Sequence, residues 1–249
     1  YWCRQGVDGF RCDAGYKLPV PVWQYIVAKV RQQFPDTVFF LEGLGGPLQT
    51  VSALLDKANM NWAYSELFQN YNRDQVDSYL PQNLDVSRTR GVNVHFAETH
   101  DNLRLADTSH AHSRMRCALS ALCSHAGGFG ITNGVEWFAT ERVNVHGASS
   151  LNWGAEANQV AFLGRLNQLL SADPCFDAEA EYLVVGVGND NVLVLERSHP
   201  PSQSQLLVVV NLSSEHSATA CWPIGAAGLN GCLAKDILHQ HEIVIENHG

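Results

Sequence analysis

The chain has 249 residues, enough for one large or two small domains with a sizeable core. Its 25 Asp and Glu outnumber 16 Lys and Arg, a formal net charge of −9, and no run of basic residues interrupts that balance, so binding to nucleic-acid phosphates or to anionic lipid lacks its usual electrostatic footprint. No apolar run approaches the roughly 20 residues of a membrane span, and a neutral partner such as a sugar suits the acidic balance better.

The first two-thirds of the chain alternates strand-like and helix-like segments. Gly6 to Ala14 reads as a buried strand with a polar end, carrying Val7, Phe10 and Cys12. Pro19 to Phe34 follows as an amphipathic helix, with Val22, Ile26, Val27 and Val30 at helical spacing and two prolines in its first turn. Val38 to Leu41 is a short apolar strand that ends in Glu42-Gly43. Helix Leu48 to Ala58, strand Asn61 to Leu67, helix Arg73 to Leu84 and strand Val92 to Ala97 come next. Helix Ser113 to His125, strand Gly128 to Thr132 and helix Ala155 to Leu170 complete the series. Strands separated by helices predict a parallel sheet, and short apolar strands predict a sheet covered on both faces. Polar residues gather at the C-terminal strand ends, the catalytic face of a β/α barrel. A doubly wound open sheet is the alternative, but no glycine-rich phosphate loop opens any of the helices.

Beyond about Asp173 the period changes to two. Tyr182 to Val187, Asn191 to Arg197 and Gln205 to Asn211 read as strands, with Ala218 to Trp222 and Glu242 to Ile245 as further candidates. The expected organisation is a β/α part over 1–173 and an antiparallel β-sandwich domain over 174–249.

Seven cysteines are scattered without a CxxC pair, which argues against a zinc ribbon or a thioredoxin-type motif. They read as isolated thiols of a reducing compartment, hence a cytoplasmic location. The opening Tyr1-Trp2-Cys3-Arg4-Gln5-Gly6 has the character of neither a start nor a signal peptide, and reads as the middle of a longer chain.

Three strand ends deliver carboxylates: Asp13, Glu42 and Asp101. Arg11 lies two residues before Asp13, on the same side of the strand, where it favours an ionised Asp13. Glu42 follows Phe39-Phe40-Leu41, an apolar setting that suits a protonated acid. A lone acid after a strand is usually a cap or a loop residue. Three at successive strand ends, two of them in opposite settings, suit glycosidic-bond chemistry.

Gly9-Phe10-Arg11-Cys12-Asp13-Ala14 resembles the fourth-strand motif of the α-amylase family, glycoside hydrolase family 13. Phe40-Leu41-Glu42-Gly43 is similar to its fifth-strand motif. Phe96-Ala97-Glu98-Thr99-His100-Asp101-Asn102 resembles the seventh-strand motif, in which Asn usually stands in place of Thr99. Asn133-Gly134-Val135-Glu136 resembles the loop after the eighth strand. The resemblance implies a partial (β/α)8 TIM barrel, strands four to eight, followed by a small antiparallel β-sandwich domain. It implies a retaining enzyme, hydrolase or transglycosylase, acting on α-1,4-glucans or maltooligosaccharides. Asp13 would be the nucleophile, Glu42 the general acid/base and Asp101 the stabiliser of the transition state, with Arg11 and His100 in the same pocket.

The chain departs from the family in two places. The family's first three strands are not in it, and a closed barrel cannot be made from five, so the chain alone is expected to lack activity. After Asp13, Gly15-Tyr16-Lys17-Leu18 stands where many members have a Lys-His pair. Calcium is therefore not expected, nor any other metal or cofactor. Tyr16 and Lys17 are read as touching the acceptor side, with a helix-entry role as the alternative. Trp62 and Tyr64 suit sugar stacking or core packing. His110-x-His112 and His239-x-His241 lack the spacing and the third ligand of a metal site and read as surface residues. The competing functional reading is an inactive family member that binds carbohydrate or a partner protein, and an unrelated α/β barrel is a third.

Overall fold

In the computed structural model, which describes residues 1–186, 188–221 and 233–244, five short strands form one sheet in the order β1-β2-β3-β4-β5. They are β1 (Gly9–Cys12), β2 (Val38–Leu41), β3 (Trp62–Tyr64), β4 (Val92–Phe96) and β5 (Phe129–Gly130). Every neighbouring pair is parallel. The crossovers run through α1 (Val20–Arg31), α2 (Leu48–Asp56), α3 (Arg73–Thr89), and the pair α4 (Leu105–Thr108) and α5 (His110–Leu122). Helix α6 (Val160–Ala172) follows β5. This is the expected part of a β/α barrel.

The helix ends follow local chemistry. Pro19 and Pro21 open α1, where a missing N–H costs least. Asn72 and Gln75 form a reciprocal capping box on α3. That helix runs through Pro81 to Thr89, five residues beyond the sequence expectation, because Leu80, Asn83 and Val86 continue its buried face. Ser109 accepts the His112 N–H at 3.0 Å and starts α5 three residues earlier than expected.

The sheet's outer face is sealed and its concave face is not. Phe39 and Leu41 of β2 are buried against α1 and α2 together with Cys12, Val27, Leu54 and Leu55. Phe40, Trp62, Tyr64 and Phe96 project to the other side and touch one another, with Tyr64 4.7 Å from both Phe40 and Phe96 between ring centres. Trp62 is 42% exposed. The expectation of a sheet covered on both faces therefore fails on the concave side: five strands are fewer than the eight that close a barrel and pack its interior.

Three antiparallel strands, β6 (Glu181–Val185), β7 (Val192–His199) and β8 (Ser204–Asn211), form a second sheet. β9 (Leu233–Asp236) and β10 (His241–Val244) pair beside it in sequence as a two-stranded ribbon. Residues 218–221 carry no strand, contrary to expectation, and Trp222 lies outside the described residues. Leu193, Leu195, Val208 and Val210 share one apolar cluster with Leu119, Cys123, Leu163 and Leu166 from α5 and α6.

Buried arginines bind the two parts through backbone carbonyls. Arg73 of α3 donates to the Val192 and Val185 carbonyls of the second sheet. Arg197 of β7, fully buried, donates to Cys175, Leu122 and Ser124 at 2.9–3.0 Å. Its guanidinium also stacks 4.2 Å from the Phe176 ring centre. Lys in place of Arg197 keeps the charge but not the planar fork that reaches three acceptors. Arg197→Lys is expected to lower the unfolding free energy by about 2–4 kcal/mol, measured by urea denaturation; a loss under about 0.5 kcal/mol, the range of neutral surface changes, would contradict this.

Candidate active site

The register Cys12↔Leu41 brings the ends of β1 and β2 level, so Asp13 and Glu42 each stand one residue past the paired strands. The loops after the strands are tied by Glu42. Its Oε2 accepts the Ala14 N–H at 2.5 Å and its Oε1 accepts the Leu44 N–H at 3.1 Å. Glu42 is 9% exposed, yet two backbone N–H donors meet its carboxylate in place of the wholly apolar setting that its strand suggested. Ala14 takes a left-handed conformation, φ 42°, which costs a non-glycine residue about 1 kcal/mol and aims its N–H at Glu42. Gly15 leaves no room for a side chain, since a Cβ would stand 2.5 Å from Leu41 Cδ1. Its carbonyl accepts the Trp23 indole N–H at 2.8 Å, which pins this loop to α1.

Arg11 Nη1 meets Asp13 Oδ1 at 2.6 Å, and its Nε donates to the Tyr64 hydroxyl at 3.1 Å. The guanidinium is thus held from two sides. Its hydrogen bond and charge hold the Asp13 carboxyl below the usual carboxylate range, with smaller contributions from His100 and Lys17. Asp13 is otherwise open, 79% exposed in its side chain.

Asp101 stands on the loop after β4, its Oδ2 3.5 Å from His100 Nε2 and its carbonyl accepting Arg142 Nη2 at 2.6 Å. Thr99, which replaces the usual Asn, is 3% exposed, and its hydroxyl donates to Asn102 Oδ1 at 2.6 Å inside that loop. The base of the loop is closed by Glu98. Its carboxylate accepts the Leu105 N–H at 2.7 Å and pairs with Arg104 at 2.8 Å, both side chains being buried. Burial raises the Glu98 carboxyl above its ordinary value. Arg104 also donates to the Asn133 carbonyl at 3.0 Å, and Thr132 to the Glu98 carbonyl at 2.7 Å, which joins the loops after β4 and β5.

The sequence-expected residues fall into two groups. Asp13, Arg11 and Glu42 are linked by direct bonds or a shared loop, and His100, the neighbour of Asp101, is near enough to act on Asp13. Lys17 is exposed and close enough to Asp13 to affect it. Tyr16 is half-buried against the apolar cluster behind the strands, with its ring where a side chain on Gly46 would stand. The Tyr64 bond to Arg11, Glu66 and the Glu98–Arg104 pair were missed. Tyr64 was legible only as an aromatic at an inward strand position. Glu66, which accepts the Gly45 N–H at 2.7 Å, looked like any acid after a strand.

A depressed Asp13 value means that the Arg11–Asp13 pair contributes stability above the ordinary carboxylate pKa of about 3.9 and loses it as pH falls through the folded-state value. The pair is exposed, so the stabilisation is small. Arg11→Gln is expected to move the Asp13 midpoint up toward the ordinary value in an NMR titration of the side-chain carboxyl. Lys17→Gln should move it less. Equal midpoints in wild type and Arg11→Gln would contradict the assignment.

No family model matches the chain. An α-1,4-glucan:maltose-1-phosphate maltosyltransferase of Rhodospirillum rubrum is 25% identical over 226 residues, 85% of this chain and 32% of that protein. The enzyme of the same description from Corynebacterium pseudotuberculosis is 24% identical over 249 residues, 92% of this chain and 36% of that protein. The chain thus spans about a third of the length of these relatives. Among solved structures, an α-amylase from Lactobacillus plantarum superposes with a TM-score of 0.72 at 16% identity, over 98% of this chain and 60% of that one. A maltogenic α-amylase from Thermotoga neapolitana gives 0.79 at 16% identity, over 99% and 59%. In fold, the chain matches part of these two α-amylase structures.

Proposed function

We propose that this chain supplies the carboxylate machinery of a retaining enzyme that acts on α-1,4-linked glucans or maltooligosaccharides, with residues 1–173 as barrel and 174–249 as β-domain. The observation that carries the reading is the pairing of two unlike acids on adjacent strand ends. Asp13 is kept ionised by Arg11, and Glu42 is buried one loop bond away. An ionised, exposed carboxylate suits attack on the anomeric carbon to give a glycosyl ester. Glu42 then serves as the proton donor to the leaving oxygen and, afterwards, as the base that activates the acceptor. Asp101 and His100 bind hydroxyls of the same sugar, and Arg11, braced by Tyr64, orients Asp13. Lys17 reaches the acceptor side, and Tyr16 supports the loop from behind.

Hydrolysis and transfer share the glycosyl-enzyme and differ in the acceptor. The maltosyltransferase relatives favour transfer to a glucan. Retention of all three carboxylates argues against the non-catalytic reading. The isolated thiols suit a reducing, cytoplasmic setting; six free cysteines are described, and no helix among the described residues is long and apolar enough to cross a membrane.

The test is incubation with maltohexaose, with the first three barrel strands supplied on the same polypeptide or as a co-expressed fragment. Products longer than the substrate are expected, and Asp13→Asn should reduce turnover by about three orders of magnitude or more. The 249-residue chain by itself is expected to give none, because its concave face is open. Turnover in Asp13→Asn above about a tenth of wild type would overturn the assignment of the nucleophile.

A further inference from the structure

The chain between β5 and α6 folds into a closed loop whose neck is a pair of indoles. Trp137 and Trp153 stand 5.5 Å apart between ring centres, inclined by 44°. The two ends are joined at that point, where the Asn152 side chain donates to the Trp137 carbonyl at 2.7 Å. Within the loop, the Ser150 N–H donates to the Glu141 carboxylate at 2.8 Å. The loop is also fastened to the rim of the candidate active site, because Arg142 donates to the Asp101 carbonyl at 2.6 Å.

The backbone is thus held, yet its largest apolar side chain is uncovered. Trp153 is 78% exposed, the most exposed tryptophan among the described residues, although tryptophan is as a rule well buried. Asn152 and Gly154 on either side of it are both left-handed, φ 55° and 78°, so the chain turns sharply on each side of this one indole. Half-buried Trp137 braces it from one side.

An aromatic face beside this rim suits one ligand chemistry. The C–H groups on the face of a glucose ring are apolar and its hydroxyls point outward, so a pyranose can stack on an indole while its hydroxyls stay in water. Successive rings of an α-1,4-glucan turn relative to one another, and two inclined indoles follow that curvature better than a flat platform. Nucleic-acid bases also stack on aromatic rings, but a net charge of −9 repels their phosphates.

We propose that Trp153 and Trp137 form an α-glucan-binding platform, separate from the carboxylates, on the loop that Arg142 ties to the rim. The proposal takes the identity of the sugar from the reading above, but binding here requires no turnover.

The experiment titrates maltoheptaose into the ¹⁵N-labelled 249-residue chain and follows the indole N–H signals by NMR, the Trp153 signal being assigned by substitution. A saturating shift of that signal is expected, equal in wild type and Asp13→Asn. Trp153→Ala should weaken binding by about tenfold or more, and Trp153→Phe, which keeps an aromatic face, by less. No binding at about 10 mM maltoheptaose, enough to fill a millimolar site, would overturn the proposal. So would unchanged binding in Trp153→Ala, or a fall in its Tm of about 4 °C or more, which would make the indole a packing residue. A self-associated chain that Trp153→Ala dissociates would make the patch an interface between copies and would overturn it as well. Loss of turnover in the assembled enzyme with binding intact strikes the catalytic reading alone; loss of binding with turnover intact strikes the platform alone.

Discussion

A parallel strand must be re-entered from the same end as its neighbour, so each of β1 to β4 is followed by a crossover and all five C-terminal ends fall on one edge. That constraint puts residues 13, 42 and 101, far apart in sequence, on the same edge of the sheet. It also sets the chemistry of the loops. Their backbone N–H groups leave the ladder and need acceptors, and strand-end carboxylates provide them: Glu42 to Ala14 and Leu44, Glu66 to Gly45, Glu98 to Leu105. An acid at this rim therefore has two uses, and Asp13 and Asp101 stand out because their carboxylates meet Arg11 and His100 instead.

Below the rim, long cations solve the opposite problem, that of buried carbonyls. Arg116 donates to Leu67, Phe68 and Asn70, Arg197 to three carbonyls under α5, and Arg31 to Thr37 and Asn59 at the far end of the sheet. Among the described residues neither Arg116 nor Arg197 has a carboxylate within salt-bridge distance. Carbonyl dipoles are a softer compensation than an acid, but a fork of three such bonds satisfies a guanidinium and knits separate segments at once. The seam between barrel and second sheet rests on this device as much as on its shared apolar cluster.

Much of this was legible in the sequence. Periodicity placed each of the five parallel strands and the first three antiparallel ones, since apolar runs such as Val38–Leu41 admit little else. Motif order supplied Asp13, Glu42 and Asp101. What escaped were features whose cause lies across the fold. Arg197 reads only as the end of a strand, and its burial against the Cys175, Leu122 and Ser124 carbonyls depends on segments far from it in sequence. Trp62 reads as a sugar-stacking or a core aromatic, and the structure leaves it 42% exposed. Glu98 sat inside a quoted motif without a role, because its partner Arg104 lies beyond the motif's end. Helix α3 was cut short because a sequence window cannot show that Val86 is buried in the cluster of α2 and β2 while Leu80 is buried in the one shared with α5 and α6.

The central claim is that Asp13, held ionised by Arg11, is the atom donor for a covalent bond to sugar. The most direct measurement is trapping with a 5-fluoro maltosyl fluoride, with the missing barrel strands supplied, followed by peptide mass spectrometry. The account predicts a glycosyl adduct on the peptide that contains Asp13, accumulating in wild type and absent in Asp13→Asn. An adduct on Glu42 or Asp101, or none while turnover proceeds, would contradict it.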